Sequence, residues 1–479
     1  MDIEAIGDTI FKNSQNENKI KAVFIQQKED FPQELEGKVL KSISLYFLDP
    51  SLPCRQVMQF LDSTVNEVKE IHRWLRNSAT FQSLITSDYY PLAIMMRYAR
   101  EMTRDFIENP RYFQNVIDGI ALSPKRLEIH VTEGTCNYKC RMCLWRVGRD
   151  QPDYDPEEIN EGPLSIEKWN QTLSQAYALG TKTIIFSGGG EPSLRTEGFK
   201  TLAHIRRLKL KSMIYTNGFH LLEMARSGNP LYDEYLRADW LRISAHAATN
   251  STYSKLTGLP GTRNNLNIVK SGIKRLIQDR NSKGTRLKIG LGFVIQDLSY
   301  KEVEKFAEMA HQLGVDFLNI RADCVDITRR LTIEEQSILF NQLRRIRTNY
   351  AKGLYGTMFV DFADNLIAPM NGWSRDFTPK QTNICRVYLY RAAINPFGRM
   401  AICDLMAEPH YSCTEFTMGF LQEKEYAKII EDCRDRKFYG NRCTACMPGQ
   451  RSINTIYEKL IEDAKIGIMP EDQYFTISR

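Results

Sequence analysis

The sequence predicts an α/β protein: a partial (β/α)6 barrel, an N-terminal helical domain before it and a small cysteine-rich C-terminal module after it. Three observations predict this. Residues 1 to about 122 carry apolar residues at helical spacing with few strand-like alternations. From about 125, short β-rich apolar runs alternate with amphipathic stretches, the order of parallel β/α units. Of 11 cysteines, six fall in the last hundred residues. A chain of 479 residues exceeds one average domain. The expected division is 1–122 helical, 123–356 barrel and 357–479 cysteine-rich.

Each element has its own signal. VNEVKEIHRWLRN (65–77) and YPLAIMMRYAREMTRDFIEN (90–109) have helical periodicity, but this region holds no motif with a mechanism, so a cap or docking role is expected. The six strand candidates are RLEIHVTE (126–133), TIIFSGG (183–189), SMIYTNG (212–218), WLRISAHA (240–247), RLKIGLGFVI (286–295) and DFLNIRADC (316–324). Helices fall between them, including 165–180 and 300–314. Residues 328–356 look helical and able to end the barrel. The stretch 357–384, with Pro369, Gly372 and Pro379, reads as a looser connection. In such folds chemistry sits at the C-terminal ends of the strands.

Composition excludes little but directs the reading. The chain is 42% hydrophobic and 25% charged, with a net charge of +6, small for its length. That balance does not ask for nucleic acid and would not repel a phosphorylated small molecule. The start, MDIEAIGDTIFKNSQNENK, lacks the pattern of a signal peptide, and no apolar run nears the ~20 residues that span a bilayer. A cytoplasmic protein with no membrane partner is the expectation. In a reducing cytosol, clustered cysteines bind metal or do chemistry more often than they form disulfides.

TCNYKCRMC (135–143) follows directly on the first strand candidate. The three thiolates of Cys136, Cys140 and Cys143 can hold three irons of a 4Fe–4S cluster, leaving one iron with an open position for a reacting ligand. The alternative is zinc with a fourth ligand elsewhere, although zinc sites usually pair two Cys-x-x-Cys units. SGGGEP (187–192) closes the second strand. Its glycines permit close backbone approach, and the carboxylate of Glu191 can accept from an ammonium group. TNG (216–218) reads as a turn.

The cysteine loop resembles the cluster-binding motif of the radical S-adenosylmethionine (SAM) superfamily, and SGGGEP resembles that family's Gly-Gly-Glu motif. The resemblance implies that SAM chelates the fourth iron and is cleaved to a 5′-deoxyadenosyl radical, which takes a hydrogen atom from the substrate. It implies that Gly189, Gly190 and Glu191 hold the amino group of SAM. Ser244 would contact its ribose, and Arg321 its carboxylate or an anionic substrate group. The bland readings are a strand-end hydroxyl for Ser244 and a solvated cation for Arg321. Met142 stands where the family usually has an aromatic residue, and its thioether can pack on adenine.

Cys385, Cys403, Cys443 and Cys446 provide four thiolates in a pattern similar to the twitch module, a shortened SPASM module. The resemblance implies one fully ligated auxiliary 4Fe–4S cluster. A structural zinc, or Cys413 in place of Cys403, is the alternative, and Cys413 and Cys433 otherwise read as ordinary thiols. Cys324, at the end of the sixth strand, is either a hydrogen-atom donor or an inert buried thiol. His246 is either an acid–base group or a plain polar contact. Glu133, just before the cysteine loop, either contacts SAM or caps the turn, and Asp323 and Asp326 either bind sugar hydroxyls or sit in solvent.

The expectation is a radical SAM enzyme fed by a reductant such as flavodoxin or ferredoxin. Its wording resembles enzymes that deaminate, dehydrate or oxidise aminosugars, aminocyclitols and sugar nucleotides. The expected substrate is a small polyol or aminosugar, and the chemistry is of lyase or oxidoreductase type in aminoglycoside or deoxysugar biosynthesis. Epimerisation through Cys324, maturation of a ribosomally made peptide, and a non-enzymatic cluster scaffold are the competing readings. The sequence does not set the oligomeric state.

Overall fold

A computed structural model describes residues 17–48, 52–86, 93–120, 122–132, 134–143, 145, 162–195, 197–322, 331–363, 366, 384–408, 414–440, 443 and 448–476. The chain forms two compact units, one of residues 1–120, 364–386 and 439–479, the other of residues 121–363 and 387–438.

The first unit is helical. Helix Val65–Asn77 coincides with the expected one because its start is specified locally. Thr64 Oγ1 accepts from the Glu67 N–H at 3.2 Å, and the Glu67 carboxylate accepts from the Thr64 N–H at 2.7 Å, a reciprocal cap. Val68, Ile71, His72 and Leu75 form its buried stripe. Helix Pro448–Ala464 belongs to the same unit and brings Lys459 and Asp463 into the interior one turn apart. Their ion pair, at 2.7 Å, is fully buried. Asp463 also accepts from the Cys54 N–H at 2.6 Å and from Gln473 Nε2 at 2.9 Å, so the carboxylate is satisfied from several sides. Burial pushes the Cys54 thiol up to about 12, so it is an inert thiol at neutral pH.

His72 sits beside this pair. Its Nδ1–H donates to the Asp472 carbonyl at 3.1 Å, and Nε2 accepts from the Tyr46 hydroxyl at 2.6 Å. Burial, reinforced by the Lys459 charge, pulls its pKa down to about 3. The unfolded chain holds His72 near ~6.5, so between about 6.5 and 3 the unfolded state binds the extra proton. Stability from the neutral ring is therefore complete above ~6.5 and is lost as pH falls toward 3. In a thermal melt series from pH 7 to 5, His72→Asn is expected to lower the midpoint at pH 7 and to flatten its decline with acid. An unchanged slope would contradict the burial of a neutral ring.

The second unit is built on one sheet with strand order β10-β9-β8-β1-β2-β3-β4-β5-β6-β7. The six expected strands are β1 Arg126–His130, β2 Thr183–Ser187, β3 Lys211–Thr216, β4 Trp240–Ser244, β5 Lys288–Ile295 and β6 Phe317–Ala322, all parallel. Helices Ile166–Ala178 and Val303–Leu313 fall where periodicity puts them.

The sheet is larger than six strands. After helix Ile333–Ala351, β7 Phe359–Phe362 adds beside β6, inside the stretch expected to be a loose connection. β8 Arg391–Ile394 pairs parallel with the other edge of β1. β9 Arg399–Ala401 and β10 Thr417–Phe420 follow antiparallel. Four-residue strands such as FVDF and RAAI are too short to carry a period, and only pairing with an existing sheet edge stabilises them.

The strands at the site alternate. In β4, Leu241 and Ile243 are buried while Arg242 and Ser244 are partly exposed. A methyl placed on Gly218 would touch both Ile243 and Val269 of helix Asn265–Lys283, so Ile243 faces the helices. Arg242 and Ser244 therefore face the inner side of the sheet. Strands buried on both faces usually read as unbroken apolar runs. Here the inner face is polar.

Candidate active site

The cysteine loop is fastened at both flanks. Helix Asn250–Thr257 ends with carbonyls that have no partner within the helix. The Lys139 N–H donates to Thr257 O at 2.8 Å, and the Arg141 N–H to Leu256 O at 3.1 Å, so the loop satisfies those carbonyls. The Tyr138 and Tyr253 hydroxyls bond at 2.7 Å in the interior below. Between these ties, Cys136 is exposed and Cys140 and Cys143 are partly buried. The Cys143 N–H closes a turn on Cys140 O at 3.2 Å.

Cys136, the exposed member of the three, follows Thr135, which bonds to the turn carrying Glu191. Loss of solvation pushes the Cys136 pKa up to about 11, with the Glu191 charge and Cys143 adding to the rise. A cation at this point would reverse that repulsion and hold the thiolate form. Among the described residues, no three His, Cys, Asp or Glu side chains converge on a single-ion site. A cluster that takes one thiolate per iron makes no such demand. The donor set, three thiols on one anchored loop, fits an iron–sulfur cluster.

The Gly-Gly-Glu turn lies against this loop. Gly189 adopts φ +74°, and a Cβ on it would stand 1.9 Å from Thr132 O. A Cβ on Gly190 would stand 2.1 Å from Thr135 O. Glycine is required at 189 by space as well as by dihedral angle, and at 190 by space alone. The Glu191 N–H donates to Thr135 O at 2.9 Å, joining the turn to the residue before Cys136. The Glu191 carboxylate is buried and accepts three hydrogen bonds: from Thr216 Oγ1 at 2.6 Å, Ser193 N–H at 3.0 Å and Asn217 N–H at 2.7 Å. It braces the ends of β2 and β3. Asn217 in turn donates through Nδ2 to Asn137 Oδ1 at 2.7 Å, within the cysteine loop. TNG is thus more than a turn. Nothing in the three letters announces this, because both partners lie in other β/α units.

Other expected site residues face the same end of the sheet. Met142 is buried beside the loop. Ser244 ends β4 level with Gly292. His246 follows with φ +50°, and its Nδ1 accepts from the Val294 N–H at 3.0 Å, leaving the proton on Nε2. Burial, and then the charges of Arg321 and Arg242, hold its pKa at about 3, so the ring is neutral near pH 7 and can donate through Nε2. Arg321 lies on β6 level with Val294 and is partly exposed. Cys403 is buried just after β9. Cys385 and Cys443 are partly buried in the other unit. Cys433 is a buried thiol pointing at Met418 O, 3.6 Å away. Cys324, Cys413, Cys446, Glu133, Asp323 and Asp326 lie outside the described residues.

A buried polar network beside the turn was not foreseen. Arg391 on β8 donates to Glu128 on β1 through Nε at 3.1 Å and through a second guanidinium nitrogen, and pairs with Asp404 at 3.1 Å. Ser187 Oγ and His130 Nε2 complete the shell of Glu128 at 2.5 and 3.3 Å. Burial works against ionisation of Glu128, but Arg391 and His130 prevail and hold its carboxyl well below the usual range. Burial pushes the Glu408 carboxyl up to about 8, with Glu128 and Asp404 adding to the rise and His130 opposing it. The signal existed in RLEIH, where Glu128 and His130 alternate with apolar residues.

Residues 131–320 match the Radical SAM superfamily, and the chain carries a domain of that superfamily. The family uses a 4Fe–4S cluster and SAM. A probable GTP 3′,8-cyclase of Saccharolobus islandicus is 26% identical over 207 residues, which are 43% of this chain and 59% of that protein. A probable GTP 3′,8-cyclase of Thermococcus kodakarensis is 27% identical over 150 residues, 31% of this chain and 44% of that one. The chain therefore spans about three fifths of the length of the first relative. Among solved structures, Streptococcus suis SuiB bound to S-adenosylmethionine is 14% identical with a TM-score of 0.48, covering 89% of this chain and 88% of that one. No helix among the described residues is long and apolar enough to cross a membrane.

Proposed function

We propose that this protein is a radical SAM enzyme acting on a small sugar-bearing substrate: an aminosugar, an aminocyclitol or a sugar nucleotide. One observation carries the reading. Cys136, Cys140 and Cys143 present three thiols at the strand ends on a loop that the Gly-Gly-Glu turn, Asn217 and helix Asn250–Thr257 hold in place. These thiols would bind the cluster. When bound, the cluster and SAM supply the radical that removes a hydrogen atom from the substrate.

This chain's residues would do the rest. Gly189, Gly190 and the remaining acceptor site of Glu191 would hold the amino group of SAM, Ser244 its ribose, Met142 its adenine, and Arg321 its carboxylate or an anionic group of the substrate. Neutral His246 would donate a hydrogen bond from Nε2 to a substrate oxygen. Cys324, where a thiol hydrogen is needed, would quench a substrate radical. On sequence spacing, Cys385, Cys403, Cys443 and Cys446 would hold an auxiliary cluster able to accept an electron. The relatives' names specify GTP, a nucleotide whose ribose carries carbinol C–H bonds of the kind proposed as the point of attack. A flavodoxin or ferredoxin in the cytoplasm would supply the electron. The helical region 1–122 and the cysteine-rich region 357–479 would serve substrate access and electron transfer.

Anaerobic incubation of the reconstituted protein with dithionite and SAM is expected to yield 5′-deoxyadenosine. Deuterium from a C-deuterated aminosugar or sugar nucleotide should appear in it. Cys443→Ala is expected to lose product formation while still releasing 5′-deoxyadenosine. Absence of SAM cleavage by the wild-type protein would refute the reading.

A further inference from the structure

The inner face of the second unit holds an arginine that forms no ion pair among the described residues. Arg242, on β4, stacks its guanidinium on the Tyr215 ring of β3, 3.8 Å from the centroid. Its Nε is buried and has no hydrogen-bond partner among the described residues. Stacking uses the faces of the guanidinium and leaves its N–H edges aimed sideways, ready to bind. On the other side lies β5, where Gly290 and Gly292 stand level with Arg242 and Ser244; the Phe317 ring of β6 covers Gly290, and the Arg242 side chain itself lies over Gly292. A Cβ at Gly292 would already stand 3.4 Å from Arg242 Cδ and Nε. Farther along the same face, β6 carries Arg321, level with Val294, which has no hydrogen-bond partner among the described residues either.

Among the described residues, the nearby carboxylates are engaged or neutralised. Glu128 and Asp404 are taken by Arg391. Asp361 accepts from Asn319 Nδ2 at 2.7 Å. Glu408 has its carboxyl pushed toward the neutral form. Burial lowers the Arg242 pKa; Tyr215 and Glu128 oppose the fall, and Arg321 and Arg391 add to it. An enclosed guanidinium that lacks a protein acceptor is stabilised when an oxyanion arrives with two acceptor oxygens.

We propose that Arg242, on the inner face that also carries Arg321, is the binding site for an oxyanion of the substrate, a phosphate or a carboxylate. The substrate is then an anionic small molecule, such as a sugar phosphate, a sugar nucleotide or an acid, and not a free polycationic aminocyclitol. The inference deepens the proposed function, because it places the substrate against the site assigned to SAM.

The test is isothermal titration of the full-length, anaerobically reconstituted protein with pyrophosphate, with malonate and with 2-deoxystreptamine, each with and without saturating SAM. At least one oxyanion is expected to bind in the presence of SAM, and whichever binds identifies phosphate or carboxylate. Its affinity should fall about tenfold or more in Arg242→Gln and by less in Arg242→Lys, which keeps the charge but not the fork. If the glutamine variant fails to fold by circular dichroism, the lysine variant decides: weakened binding supports the site, and wild-type binding overturns it. Binding of neither oxyanion, wild-type affinity in Arg242→Gln, binding of 2-deoxystreptamine alone, or an oxyanion that binds only by displacing SAM would each overturn the proposal. A SAM-induced change in the cluster's electron paramagnetic resonance signal, read on the wild-type protein, reports separately on the radical SAM reading.

Discussion

Cys140→Ala is expected to bring SAM cleavage below detection, with iron content falling in step. Partners outside the ligand shell are typically worth about 10–100-fold. Removal of a direct thiolate ligand should therefore lower 5′-deoxyadenosine formation by on the order of a thousandfold or more. The loop itself should survive. Its ties to helix Asn250–Thr257 run through the backbone N–H groups of Lys139 and Arg141, which alanine at 140 leaves intact. The turn from the Cys143 N–H to the residue-140 carbonyl is also a backbone bond. Circular dichroism and melting point should stay close to wild type, which separates loss of chemistry from loss of fold. Cys433→Ala is the matched control. That thiol is buried against Met418 O, away from the loop, so its loss should cost about 1 kcal/mol of stability and no iron. Turnover by Cys140→Ala, or equal iron loss in both variants, would remove the cysteine loop from the chemistry.

What the sequence reveals and conceals follows from distance along the chain. Helix Val65–Asn77 is legible to the residue because its cap and its apolar stripe lie within one segment. The six parallel strands are legible because each is long enough to carry a pattern. The cysteine loop and the Gly-Gly-Glu turn are legible because close spacing of unusual residue types is itself a signal. By contrast, β8 is four residues long, and its function is to set Arg391 against Glu128, 263 positions earlier. No local pattern encodes that pairing. The role of Glu191 is concealed for the same reason. A glutamate after two glycines suggests a ligand for an ammonium group, and only the folded ends of β2 and β3 show three protein donors already on its carboxylate. The polar inner face was legible in principle. WLRISAHA alternates Arg242, Ser244 and His246 with apolar neighbours, whereas a strand packed on both sides has no use for such residues.

Gly190→Ala carries the second large effect, and it tests the joint between turn and loop. Unlike Gly189, Gly190 does not have a positive φ, so alanine meets no backbone strain there. The obstacle is space alone. The added methyl would stand 2.1 Å from Thr135 O and 2.7 Å from Thr132 Oγ1, the first of them backbone. Backbone cannot rotate away as a side chain does, so the 132–135 segment must shift by about 1 Å. Thr135 precedes Cys136 and accepts the Glu191 N–H, so the shift reaches a proposed cluster ligand and the brace on β3 together. Misplacement by about 1 Å at a reacting centre costs on the order of 100-fold, and that loss is expected in SAM cleavage. The stability cost, about 1–3 kcal/mol for overpacking, should lower the melting point by only a few degrees. Gly284→Ala provides the contrast. Gly284 has φ +63° at the end of helix Asn265–Lys283, with nothing within 4 Å of its would-be Cβ. It should lose about 1 kcal/mol of stability and keep its rate. Equal activity in the two variants would mean that close contact between the turn and the cysteine loop is not what positions the cluster. Slow cleavage in Gly190→Ala with full iron content would place the damage in SAM binding, and reduced iron would place it at Cys136.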